Sequence, residues 1–187
     1  MKTLFFTFIF SILSLGLTQA QSVTISDVEL KENVTVDGTD LVLNGAGIRT
    51  KFFFDLYVGS LYLPSKKTDA EAIIHGEDLM RIQLNIISSM ITSEKMESAT
   101  REGFENATNG KTQPIEGEIN AFIDVFKEEI KEGDVFQFDA QGPRVTVYKN
   151  GNKSIVIEGK AFREALFGIW LSNKPADKKL KEQMLGK

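Results

Sequence analysis

Two hydrophobic periodicities run through this chain, and they come in blocks. Period-two stretches open it. Val34-Thr35-Val36 and Leu41-Val42-Leu43 flank an Asp37-Gly38 turn, which reads as a hairpin. Phe52 to Leu63, rich in aromatic and β-branched residues, reads as one long, largely buried strand. A short helix is expected over Thr68 to His75. Leu79 to Ile86 then alternates, with Ile82, Leu84 and Ile86 on one face. Two helical stretches follow. Ser93 is placed to cap the first, with Glu94 in its opening turn, and Met96, Ala99, Thr100, Gly103, Phe104 and Ala107 form its stripe. Pro114 sits near the start of the second, striped by Ile119, Phe122, Ile123, Phe126 and Ile130. Strands return at Val135–Phe138, Val145–Tyr148 and Ile155–Ile157, the last two joined through Asn150-Gly151. A helix over Lys160 to Leu171 and a last one opened by Pro175 finish the chain; the Lys-rich tail from Lys174 reads as a solvated terminal helix.

Blocks in this order do not alternate strand with helix, so a doubly wound parallel sheet is disfavoured. The order predicts an α+β domain, a mainly antiparallel sheet with helices layered on one face. A cleft between the two layers is a common place for an apolar ligand.

The first twenty residues read as an address. Met1-Lys2 gives a positive start, Leu4 to Leu17 is an apolar run of 14 residues, and Thr18-Gln19-Ala20 supplies small residues before a cut after Ala20. Fourteen residues fall short of the ~20 that span a bilayer. The expectation is a signal peptide over 1–20 and one domain over 21–187, exported to a periplasm or secreted, with no integral membrane segment after cleavage. Cysteine is absent, so disulfides, thiolate metal sites and cysteine nucleophiles are excluded. The formal net charge of −4 argues against a nucleic-acid partner.

Few residues carry chemistry. Gly45-Ala46-Gly47 lacks the third glycine and the helix of a dinucleotide loop, so these glycines are expected to let the chain turn or lie close to something. His75, the single histidine, is placed to cap the carbonyls at its helix end. Ser88-Ser89 has no nucleophile setting, and no carboxylate cluster has metal-ligand spacing, so no metal and no cofactor are expected. Asn33, Asn106 and Asn152 begin formal glycosylation triplets. Arg49 stands out, one of few arginines, between the glycines and the most apolar strand. A guanidinium beside an apolar cleft needs an anion. That anion is either a ligand or an internal carboxylate such as Asp55 or Glu102.

Gly45-Ala46-Gly47-Ile48-Arg49 with Tyr57-Val58-Gly59-Ser60-Leu61-Tyr62-Leu63 resembles the opening motif of the chalcone isomerase superfamily. Glu158-Gly159-Lys160-Ala161-Phe162 and Ala165-Leu166-Phe167-Gly168-Ile169-Trp170-Leu171, then Pro175, Leu180 and Lys181, resemble its bacterial chalcone isomerase-like branch. The resemblance implies an open-faced β-sandwich, a large antiparallel sheet covered by helices. In the plant enzymes an arginine, a threonine, a tyrosine, an asparagine and a second threonine guide addition of a phenolate to an enone. By resemblance these fall at Arg49, Tyr57, Lys95, Glu102 and Ile169, so only the arginine is kept. Losing one preorganised donor typically costs ~3–4 kcal/mol of transition-state stabilisation.

The superfamily also holds non-catalytic fatty-acid-binding members, in which an arginine and a tyrosine grip the lipid carboxylate. Arg49 and Tyr57 resemble that pair, with the Phe-rich strand, Phe162, Leu166 and Ile169 expected to line the cavity. On one flat strand the two would stand roughly 26 Å apart, so they converge only if the chain bends or reverses between Thr50 and Phe54. The resemblance thus implies a binder of a small apolar ligand carrying a carboxylate, such as a fatty acid. The alternative is an intramolecular lyase or isomerase on an enone-like substrate, with Arg49 as its catalytic residue and Lys95 or Glu102 as acid or base.

Overall fold

The computed structural model describes residues 21–187; the address segment expected over 1–20 lies outside the described residues. A two-stranded hairpin, β1 (Ser22–Ile25) and β2 (Val28–Lys31), comes first and has no strong turn signal in the sequence. Seven strands then build one antiparallel sheet in chain order: β3 (Asn33–Val36), β4 (Thr39–Lys51), β5 (Phe54–Leu63), β6 (Met80–Ile86), β7 (Val135–Gln141), β8 (Arg144–Lys149) and β9 (Asn152–Glu158). Helix α1 (Ala70–His75) is inserted between β5 and β6, and α2 (Ser93–Thr108) and α3 (Glu116–Ile123) between β6 and β7. After β9 come α4 (Lys160–Leu171) and α5 (Lys178–Met184). The expected α+β architecture is therefore present, with the helices packed on one face of a large antiparallel sheet.

Register explains which face is covered. Leu61, Ile82, Phe138 and Val147 are consecutive cross-strand partners and all fully buried. Phe104 of α2, Phe122 of α3 and Phe162 of α4 join them, with ring centroids 5.4–6.0 Å apart. One residue along each strand the row reads Tyr62, Arg81, Asp139 and Thr146, on the opposite face. There Arg81 donates a forked pair of bonds to Asp139 (2.5 and 2.7 Å). Period-two patterning sends the apolar set towards the helices and a paired polar set away from them.

Several local expectations are corrected. Gly45 and Gly47 lie inside β4 and form no turn. A Cβ at Gly45 would overlap the Gln183 carbonyl, and one at Gly47 the Gln183 side chain. Their role is to let α5 lie directly on the strand. The tail is thus packed as well as solvated: Leu180, Met184 and Leu185 are buried, and Asn44 donates to the Met184 carbonyl at 2.8 Å. Thr92 caps α2 by accepting from the Lys95 N–H, while the Ser93 hydroxyl donates to the Glu128 carbonyl. The His75 imidazole meets Glu164 (3.0 Å) and Glu71 (3.3 Å), and the Gly76 N–H closes the helix end.

The strand expected over Phe52 to Leu63 is β5, but it starts two residues later, at Phe54. β4 and β5 pair as a hairpin with Lys51 opposite Phe54, and Phe52 and Phe53 form the two-residue turn with φ of 51° and 67°. The aromatic residues read as buried stand outside, Phe52 at 79%, Phe53 at 101% and Phe54 at 52% exposure.

Candidate functional site

That reversal brings the site together. Arg49 on β4 and Tyr57 on β5 are direct cross-strand partners, on the face turned towards the helices. The guanidinium carbon lies 5.9 Å from the centre of the Tyr57 ring, within cation–π range. The condition set by the sequence, a reversal between Thr50 and Phe54, is met by the Phe52-Phe53 turn.

Between the end of this hairpin, β6 and helices α2 and α4 lies an open cavity of about 390 Å³, within the ~300–1,000 Å³ usual for small-molecule sites. Arg49, Tyr57, Lys95, Glu102 and Ile169 all line it. The walls are mainly apolar, from Leu56, Leu84, Met90, Ile91, Met96 and Trp170. Phe162 and Leu166, expected as lining, are not in the wall; both are fully buried in the aromatic core. They sit on α4 seven and three residues before Ile169, in the core shared with α2. Gly103 permits that close crossing, since a Cβ there would come 2.8 Å from Ile169 Cγ2.

The polar groups divide by what already satisfies them. Lys95 Nζ donates to the Met90 carbonyl at 3.0 Å, and both Lys95 and Glu102 are exposed. Asp55, one candidate partner for Arg49, accepts instead from the Thr50 hydroxyl at 2.8 Å. Asp177 caps α5, accepting from the Leu180 N–H at 3.0 Å and the Thr50 N–H at 3.4 Å. Among the described residues no carboxylate stands within ion-pair distance of Arg49. The internal salt bridge left open by the sequence, to Asp55 or Glu102, is not formed.

Tyr57 is buried, and its hydroxyl oxygen accepts from Trp170 Nε1 at 2.9 Å. Its own hydrogen has no protein acceptor among the described residues. Burial raises the phenol pKa above its usual value, and Arg49 and the Trp170 bond only partly offset this. The group therefore stays a neutral donor through the physiological range. A half-buried cation and a buried O–H donor, side by side over an apolar hollow, can receive a carboxylate with the rest of its chain in the hollow.

Sequence reasoning missed Trp170, which orients the phenol and stacks on Phe138 at 5.7 Å. Its signal was its uniqueness in the chain and its place in an apolar helix. It also missed Lys51 at the cavity rim, whereas Phe52, Phe54 and Leu56 of the Phe-rich stretch line the cavity as expected. A second cavity of about 400 Å³, between α1, α2 and α4, is more polar and holds the His75–Glu164 contact. Among the described residues no group of three metal-ligating side chains converges, and no helix is long and apolar enough to cross a membrane.

The family model described as chalcone isomerase-like matches residues 22–186. No curated protein sequence matches the chain. Among solved structures, a fatty-acid binding protein of Arabidopsis thaliana superposes with a TM-score of 0.71 at 14% identity, covering 88% of this chain and 96% of that one. At that identity the likeness is one of fold.

Proposed function

The chain belongs to the chalcone isomerase-like family, and from that premise we propose that it binds a fatty acid or a similar carboxylate-bearing apolar ligand without transforming it. Arg49 anchors the carboxylate, Tyr57 donates a hydrogen bond to it, and the tail lies along Leu56, Leu84, Ile91 and Ile169. One observation carries the reading: among the described residues, Arg49 has no carboxylate within ion-pair distance and lines the cavity beside a buried phenol whose proton has no acceptor. A half-buried cation beside an apolar hollow is better satisfied when an anion arrives there. The fatty-acid binding of the Arabidopsis neighbour supports the choice of ligand class.

The enzymatic alternative finds less support. Lys95, a candidate acid or base, has its ammonium on the Met90 carbonyl, and Ile169 can donate no hydrogen bond. The layout of residues 1–20 supports export, and the motifs of residues 158–181 support placement in the bacterial branch.

Native mass spectrometry of the purified protein, followed by calorimetry with a long-chain fatty acid, tests the proposal. The expected result is one bound acid per chain, with Arg49→Ala weakening it about 10- to 100-fold, the value of a charge-assisted contact. Absence of binding, or an Arg49→Ala variant equal to wild type, overturns it. Turnover of a chalcone that vanishes in Arg49→Ala would favour the enzyme instead.

A further inference from the structure

The Phe52-Phe53 turn has an unusual composition for this molecule. Other two-residue reversals of the sheet carry Asp37-Gly38 and Asn150-Gly151, residue types suited to positive φ. Here two phenylalanines occupy that region, where a bulky side chain is strained. Three rings stand in solvent at this tip: Phe52 and Phe53 in the turn and Phe54 at the start of β5. Neither backbone preference nor burial accounts for them.

Their surroundings are specific. Phe52 and Phe54 form part of the rim of the apolar cavity, together with Met90, another exposed apolar side chain. Lys51 Nζ lies 5.8 Å from the centre of the Phe52 ring, and Lys95 stands on the same rim. Residues 49–54 hold two cations and no acid in a chain of net charge −4. Beyond the turn, Asp55 is tied to Thr50.

We propose that this hairpin tip docks on a phospholipid surface, the rings entering the headgroup boundary and Lys51 and Lys95 meeting anionic headgroups. The cavity rim then faces the lipid, so an apolar chain passes between membrane and cavity without crossing water. The transfer rests on the ligand reading above; the affinity of the tip for lipid does not. A lipid surface fits better than a protein partner. Weighted by their exposures of 79%, 101% and 52%, the three rings offer roughly 350–600 Å² at ~150–250 Å² each, short of the ~800 Å² per side usual in a stable protein pair.

Flotation of the purified protein with phosphatidylcholine vesicles, with and without phosphatidylglycerol, tests this, alongside fatty-acid calorimetry in vesicle-free buffer. Wild type is expected to bind, more strongly to the anionic vesicles and less in high salt. Phe53→Gly suits the turn and leaves the cavity wall intact. It should raise the thermal midpoint, keep fatty-acid affinity and reduce vesicle binding about tenfold or more. Phe53→Trp should bind, with an indole emission that shifts blue on vesicles. Vesicle binding undiminished in Phe53→Gly arises elsewhere in the chain, residues 1–20 included, and overturns the proposal. So does absence of vesicle binding, or a wild-type dimer that Phe53→Gly dissolves. Calorimetry reports separately whether the cavity reading stands.

Discussion

Tyr57 and Trp170 make the site a matter of single atoms. The phenol oxygen accepts the indole N–H, so Tyr57→Phe leaves a buried donor unpaired. A loss of about 1–3 kcal/mol of stability is expected at neutral pH. The pH profile should change as well. Burial holds the Tyr57 pKa above its unfolded value near 10. A group raised in this way contributes stability that is fully present below about pH 10 and is lost as pH rises towards the folded value. Chemical unfolding followed across that range should show a shallower alkaline decline in Tyr57→Phe. Tyr62, also buried and raised, keeps part of the decline in both proteins. His75 follows the same sign in another window. Glu164 and Glu71 raise its pKa, so its contribution is present below about pH 6.5 and lost above. The imidazole is more than half exposed, so His75→Gln should remove only a few tenths of a kcal/mol, visible in acid and absent at pH ~8. An equal loss at both pH values would show that packing, and not charge, joins α1 to α4.

Elements place these atoms, and the glycines of β4 decide how closely. α5 rests on Gly45 and Gly47, and Leu180 side-chain atoms would stand 3.2–3.3 Å from a Cβ at Gly59. Gly45→Ala puts a methyl into the α5 backbone, whereas Gly47→Ala meets a side chain that can partly move. Gly45→Ala should therefore cost more, with both in the range of about 1–3 kcal/mol. Hydrogen exchange should show the loss concentrated in α5 and β4. Uniform protection in both variants would contradict this account of the motif. The sequence concealed this packing because lysines dominate the tail, while Leu180, Met184 and Leu185 are only three apolar positions among them. It concealed the reversal at Phe52-Phe53 for a related reason. Turn chemistry is read from Gly, Asn and Asp, and aromatic residues read as strand.

At the scale of the whole molecule, connectivity was the most legible property. Seven strands in chain order need only short connections or helical insertions, and the blocked periodicities announce that arrangement. The site was legible one residue at a time. Resemblance points to Arg49, Tyr57, Lys95, Glu102 and Ile169, and the fold gathers all five around one cavity. What the sequence could not give was their mutual geometry. That depends on where β4 turns, on the close crossing of α4 over α2 at Gly103, and on the indole that holds the phenol. The proposed ligand requires that Arg49 and Tyr57, at the polar end of the cavity, take a carboxylate. Calorimetric titration of the wild-type protein with a long-chain fatty acid and with the alcohol of the same length tests this most directly. The tails are alike, so any difference reports the head. The acid should bind about tenfold or more tightly than the alcohol, and the gap should close in Arg49→Ala. Equal affinities for acid and alcohol in wild type, or a gap that persists without Arg49, would contradict it.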